Sequence, residues 1–151
     1  MPEWNLTGSR MFSHAAKFID AYHNVLQPLC RETGLPPMAM DILLFVANNP
    51  DRNTASDICQ CRGLKPGIVS VHVDRLVNEG LLVRAEAAND RRKTRLTCTE
   101  KAQPIVAEGR KLQKAFANKL SDGINESDME SFRRTLTRCG ENLEDILRHG
   151  L

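Results

Sequence analysis

No hydrophobic run in this chain approaches the roughly 18 residues needed to cross a bilayer. The opening residues, MPEWNLTGSR, carry no apolar signal core, so a cytoplasmic location and no membrane partner are expected. The four histidines, at 14, 23, 72 and 149, show no H-x3-H spacing, and no bound metal is expected. There is no nucleophile beside a base, no glycine-rich phosphate loop and no pair of carboxylates at a defined spacing; neither an enzyme nor a cofactor is expected. Internal repeats and low-complexity segments are absent. The five cysteines, at 30, 59, 61, 98 and 139, are odd in number and mostly far apart, as free reduced thiols would be. Cys59-x-Cys61 on a helix sets its sulfurs roughly 200° apart, poor geometry for sharing one ion.

What remains is a chain of 151 residues with the apolar and charged fractions of a globular protein, long enough to bury a core without disulfides or metal. The net charge is +2, but it is unevenly placed. Between Arg52 and Arg95 there are nine basic and five acidic residues, giving +4, and the rest of the chain carries −2. Basic charge is concentrated where a polyanion would be met, although a solvated face could also give this asymmetry.

Within Thr54–Thr99 two short helical patterns are split by Arg62-Gly63-Leu64-Lys65-Pro66, and a strand, a polar tip and a second strand follow. Thr54 with Asp57 reads as a helix cap, Gly63 as the C-terminal stop and Pro66 as the first residue of the next helix. Val69, Val73, Leu76 and Val77 make that helix's buried stripe, and Gly80 ends it. Leu81 to Glu86 and Thr94 to Thr99 have strand length, joined by the polar stretch 87–93. The order is that of a helix-turn-helix with a β-hairpin wing, a unit that docks on duplex DNA.

The flanks are helical. Residues from Ser9 to about Arg31 carry a broad apolar stripe, with Thr7 or Ser9 as a cap, and Gly34 with Pro36-Pro37 stops the helix. A second helix from Pro37 to about Ala47, containing MAMDILLFVA, is apolar on nearly all sides and so suits a central position. A helix is expected from Glu100 to about Leu120, weakened by Gly109. The last runs from the Asn125 cap to about His149, with Ile124 and Met129 placed as a hydrophobic staple. Its apolar residues 129, 132, 136, 139, 143 and 146 step by three and four, a heptad seam. Such a seam needs a cover: the chain's own first helix, a second copy, or both.

Ala55-Ser56-Asp57-Ile58, Gly63-Leu64, Val73-Asp74-Arg75-Leu76, Glu79-Gly80-Leu81-Leu82 and Asp90-Arg91-Arg92, with Leu96-x-x-Thr99 after them, follow one another with the spacing of the MarR family of winged-helix regulators, which the chain resembles over nearly its whole length. The resemblance implies a mostly α fold with a small β-hairpin wing. It places a winged helix-turn-helix lobe at 37–99 and a helical dimerisation lobe at 7–33 and 100–151, in a homodimer on double-stranded DNA. It also implies a repressor on a pseudo-palindromic operator and a small apolar or phenolic effector between the lobes. The chain departs from the family pattern at Ile68 and Val71, where many members carry Thr and Arg, and at Ala87, Cys98 and Cys59.

The candidate DNA-contacting residues on the recognition helix are Lys65, Ile68, Ser70, Val71, His72 and Arg75. Ser70 and His72 are read as hydrogen-bonding to bases or phosphates, Ile68 and Val71 as meeting thymine methyls, and Lys65 and Arg75 as holding phosphates. His72 could instead be a half-buried helix residue, and Arg75 could pair with Asp74 or Glu79. In the wing, Arg91 and Arg92 suit a narrow minor groove, with Lys93 and Arg95 on the backbone and Asp90 supporting the hairpin. Candidates for the effector pocket are His14, Phe18, Tyr22, Met40 and Phe45, which could equally be core. Two other functions remain open: a protein-interaction module with weakened DNA binding, and a cysteine-based redox switch.

Overall fold

A computed structural model describes residues 8–87 and 90–151. They form two compact units divided after Phe116. Among the described residues no helix is long and apolar enough to cross a membrane.

The first unit is built around α2 (Pro37–Asn48), in which every residue from Ala39 to Val46 is buried. A helix apolar on nearly all sides is stable only where neighbours cover it all round. Here α1 (Gly8–Thr33), α4 (Pro66–Asn78) and the hairpin strand β2 (Asp90–Cys98) all pack on it. The core continues through Leu26, Leu29, Ile58, Val69, Leu76, Leu82, Leu96 and Val106. The covering of α1 is partial. At 1.5 Å per residue α1 is about 39 Å long and α2 about 18 Å, so only the C-terminal part of the α1 stripe meets the core. Leu26, Leu29 and Cys30 are buried, while every residue from Arg10 to Ala21 is exposed, including Met11, Phe12, Phe18 and Ile19. Pro28 sits inside α1, which continues past it to Thr33.

The helix-turn-helix forms from its local signals. Thr54 Oγ1 accepts the Asp57 backbone N–H at 3.1 Å, and Asp57 Oδ2 accepts the Thr54 N–H at 3.1 Å, a reciprocal capping box that starts α3 (Ala55–Arg62). Gly63 ends α3 at φ +62°, where a Cβ would be strained. Pro66 opens α4 at its first turn. The hairpin pairs β1 (Leu82–Ala87) antiparallel with β2, from Leu82 opposite Cys98 to Glu86 opposite Thr94. The register then shifts, and Ala87 lies opposite Asp90. Four of the residues expected in the turn, Asp90 to Lys93, therefore belong to a bulged β2, and Ala87 belongs to β1. Thr7, the alternative cap of α1, lies outside the described residues, as do residues 88 and 89.

The expected helix from Glu100 begins instead with a 3-10 turn, Glu100–Ala102, and α5 starts at Gln103 (Gln103–Leu120). Pro104 then falls in the first α-helical turn, where its missing N–H costs no helical bond. Gly109 is buried against α2: a Cβ there would come to 2.4 Å from Leu44 Cδ2. The glycine that weakens the helix on its own is what lets it approach.

The second unit holds α6 (Glu126–His149). Asn125 caps it by accepting the Asp128 N–H at 2.9 Å. None of its residues is buried; Phe132, Leu136, Leu143 and Ile146 are exposed, so within the second unit nothing covers the heptad seam.

Gly109→Ala is expected to lower stability by about 1–2 kcal/mol in urea unfolding, because the overpacking penalty exceeds the helix-propensity gain. Thr54→Ala should cost about 1 kcal/mol. The Thr54 hydrogen bonds hold the Asp57 carboxyl below its usual pKa. Its contribution is therefore present above the ordinary carboxylate pKa and lost as pH falls through the folded value. The Thr54→Ala difference should shrink in acid, as unfolding curves across that range will show.

Candidate nucleic-acid interface and cavity

The buried stripe of α4 (Val69, Val73, Leu76) turns the opposite face outward. Ile68 is 45 % exposed and Val71 67 %, and Lys65 and Ser70 are also exposed. His72 is half-buried; burial, and after it the charge of Arg75, lower its pKa, so the imidazole is neutral at neutral pH. Arg75 is held within its own chain. Its Nε donates to Glu79 Oε1 at 3.0 Å and its Nη2 to the Gly34 carbonyl at 2.6 Å, bracing α4 against the end of α1. Of the two expectations for this residue the structure places the ion pair, with Glu79 as partner. Asp74 is engaged from the other side by Arg84 of β1, a link between recognition helix and wing that spacing alone did not indicate.

In the wing, Lys93 and Arg95 are exposed, whereas Leu96 is buried. Strand alternation sends Lys93 and Arg95 to one face and Leu96 to the core. Arg95 also forms a backbone bridge with Thr54, and Leu96 N–H donates to the Asn53 carbonyl at 2.9 Å, fixing the hairpin base to the start of α3. The backbone of Asp90, Arg91 and Arg92 lies in β2; their side chains lie outside the described residues.

A cavity of about 550 Å³ opens on the other side of the helix-turn-helix. Phe18, Ile19, Tyr22 and His23 of α1, Met38 of α2, Leu64 of the helix-turn-helix turn and Phe116 of α5 supply much of its wall. Phe116 meets Phe18 edge-on at 5.3 Å and Tyr22 at 5.5 Å between ring centroids. Phe18 and Tyr22, two of the five candidates for an effector pocket, line this cavity. His14, Met40 and Phe45 do not line the cavity. His14 lies on the exposed part of α1, too far toward its start, and His23 takes its place. Met40 is 0 % exposed and packs in the core; Met38, about 200° away round the helix, faces the cavity. Phe45 is buried beneath the Arg62 guanidinium, 5.1 Å from its ring centroid.

The polar groups of the cavity were not anticipated. Asp41, buried within the apolar α2, accepts from Arg62 Nε at 2.8 Å and Nη2 at 3.1 Å. Burial works against the Arg62 charge, and Asp41 more than offsets it, raising the guanidinium's pKa. A hydrogen-bonded relay also reaches the cavity. Arg110 Nε donates to Asn48 Oδ1 at 3.0 Å, Asn48 Nδ2 to Gln113 Oε1 at 2.9 Å, and Gln113 Nε2 to the Tyr22 hydroxyl at 2.7 Å. Burial pushes the Tyr22 phenol's pKa up despite the Gln113 bond, so the hydroxyl keeps its own proton to donate. One signal in the sequence did point here: a lone aspartate in an apolar helix requires a cation from elsewhere in the fold.

Cys61 is exposed at the cavity, Cys59 is half-buried against the core, and all five cysteines are free. Burial pushes the Cys30 and Cys98 thiols up, away from the reactive thiolate.

Residues 33–93 match the MarR family model. Among solved structures, the transcriptional regulator PA3341 is 23 % identical, with 92 % of this chain and 99 % of that one covered at a TM-score of 0.77. A putative MarR family regulator from Listeria monocytogenes, complexed with a 26mer DNA, is 17 % identical over 93 % of each chain, with a TM-score of 0.74. CouR from Rhodococcus jostii RHA1, bound to p-coumaroyl-CoA, is 22 % identical over 85 % of this chain and 87 % of that one, with a TM-score of 0.69. The fold is shared with all three.

Replacing Arg62 with Ala should destabilise the protein by about 3 kcal/mol, since it leaves the buried Asp41 carboxylate unpaired. Asp41→Asn combined with Arg62→Met should recover part of that loss, measured by urea unfolding.

Proposed function

We propose, from the match of residues 33–93 to the MarR family model and the shared fold, that the chain is a winged-helix transcriptional regulator of that family, acting in the cytoplasm as a homodimer on a pseudo-palindromic operator, as a ligand-responsive repressor. The observation that carries this reading is the assembled helix-turn-helix and hairpin, with Lys65, Ile68, Ser70 and Val71 exposed on the helix and Lys93 and Arg95 exposed on the wing strand. The helix enters the major groove while Arg91 and Arg92 reach the minor groove and Asp90 supports the tip. Lys65, Lys93 and Arg95 hold phosphates, and Ser70 and His72 donate or accept at base edges or phosphates. Arg75 contributes by bracing α4 through Glu79 and Gly34 rather than by holding phosphate.

The dimer is supported by the exposed seam of α6 and by the exposed apolar residues of α1. Left bare, these surfaces would form apolar patches in water; a second copy covers them. The effector occupies the cavity beside Phe18 and Tyr22. Asp41 and Arg62 cancel each other's charge there, which favours a small aromatic ligand, apolar or phenolic, over a highly charged one. Because Leu64 of the helix-turn-helix turn lies in the wall, occupancy bears directly on the turn that sets α4. A ligand that favours one disposition of α4 shifts the population away from the DNA-binding one.

Gel shifts on duplexes selected from a random pool test the assignment. Affinity should fall steeply with salt, and Arg92→Ala should weaken binding and reduce the salt slope by about one. Unchanged affinity and slope in Arg92→Ala would remove the wing from the interface. In analytical ultracentrifugation Leu136→Glu with Leu143→Glu should yield a monomer; a dimer that persists would place the interface elsewhere. Phenol should raise the melting temperature of the wild type and not of Phe116→Ala, if the cavity is the ligand site.

A further inference from the structure

The outer face of α4 has an unusual chemistry for a helix that reads bases. Guanine is ordinarily read by a bidentate arginine or lysine, and adenine by asparagine or glutamine. On α4 the only arginine, Arg75, has Nε and Nη2 committed to Glu79 and to the Gly34 carbonyl. The only amide side chain, Asn78, is the last residue of the helix, away from the N-terminal turns that meet base edges. Asp74 is held by Arg84. The first two turns instead present Ile68 and Val71, at i and i+3, both well exposed. Among the described residues no neighbouring part of the unit covers them.

An exposed aliphatic pair costs solubility and returns nothing to the fold, since the buried stripe of α4 is already complete without it. The surroundings favour a polyanion as its cover. Lys65 at the start of α4 and Lys93 and Arg95 on the wing strand are exposed, and the segment from Arg52 to Arg95 carries a net +4. Within a major groove there is one base-edge feature that an aliphatic side chain complements, the C5 methyl group of thymine. Cytosine presents that methyl only when methylated at C5.

We infer that α4 reads C5 methyl groups in the major groove through Ile68 and Val71, so that the operator half-site is thymine-bearing at the facing steps and 5-methylcytosine there is bound in preference to cytosine. This rests on the DNA-binding reading above and adds to it the base chemistry that is recognised. The cations supply affinity and the methyl contacts add a preference for particular bases, so the two respond to different substitutions.

The test uses the full chain and a duplex selected from a random pool. Each thymine of the selected half-site is replaced in turn by uracil, which removes the methyl and leaves the pairing unchanged. At the contacted steps binding should weaken about fourfold for each methyl lost. Cytosine introduced at the same step should bind about fourfold better when methylated at C5. Val71→Ala and Ile68→Ala, both exposed and so compatible with folding, should each abolish the thymine–uracil difference at one step and leave the salt slope as in the wild type. Equal binding of thymine and uracil duplexes, or a difference that survives both substitutions, overturns the inference while the DNA-binding function stands. Absence of salt-dependent binding to any duplex overturns the DNA-binding function itself, and the methyl reading with it. In that case Ile68 and Val71 mark a protein-docking surface.

Discussion

The ion pair between Asp41 and Arg62 ties together the parts of the molecule on which its function depends. A carboxylate inside the most apolar helix of the chain can remain charged only if a cation reaches it. Arg62 is the last residue of α3, immediately before the glycine and leucine of the helix-turn-helix turn. Its fork geometry on Asp41, with Phe45 packed beneath, fixes where α3 ends relative to α2. The position of α4 follows, because only three residues separate the two helices. The same guanidinium forms part of the cavity wall. Core, recognition helix and cavity thus meet at one pair of side chains.

A second set of links holds the recognition helix and the wing together as one surface. Arg75 ties α4 to the carbonyl of Gly34, and Arg84 ties β1 to Asp74. Thr54 and Asn53 make backbone contacts with the base of β2. The Arg75 and Arg84 guanidiniums are thus engaged in bracing this surface. The remaining outward groups are exposed cations on the wing strand and at the start of α4, and an aliphatic pair on the helix. On the proposed DNA-binding reading, that division separates the source of affinity from a source of sequence preference.

Much of the architecture was legible without coordinates. The signals that succeeded are local: the Thr54–Asp57 capping box, Gly63 at positive φ, Pro66 at a first turn and Asn125 as a cap each satisfy backbone groups within a few residues. Periodicity placed α2 at the centre and the α6 seam on one face. The strand limits were less well read, because a bulge lets Asp90 to Lys93 join β2 where a polar run suggests a turn. Asn48, Gln113 and Arg110 gave no local signal as a relay to Tyr22, since they come together only where α5 meets the end of α2.

What the order of residues decided is therefore whatever a few neighbouring side chains can decide: caps, stops, helical and strand periods, and the concentration of positive charge around the hairpin. Tertiary structure decided which side chains remain available. It committed Arg75 to Glu79, buried Met40 and Phe45 in the core, brought Met38 and His23 to the cavity instead, and made Gly109 a point of close approach. The physical reason is that availability depends on partners many positions away, whose distance is set by packing rather than by spacing along the chain.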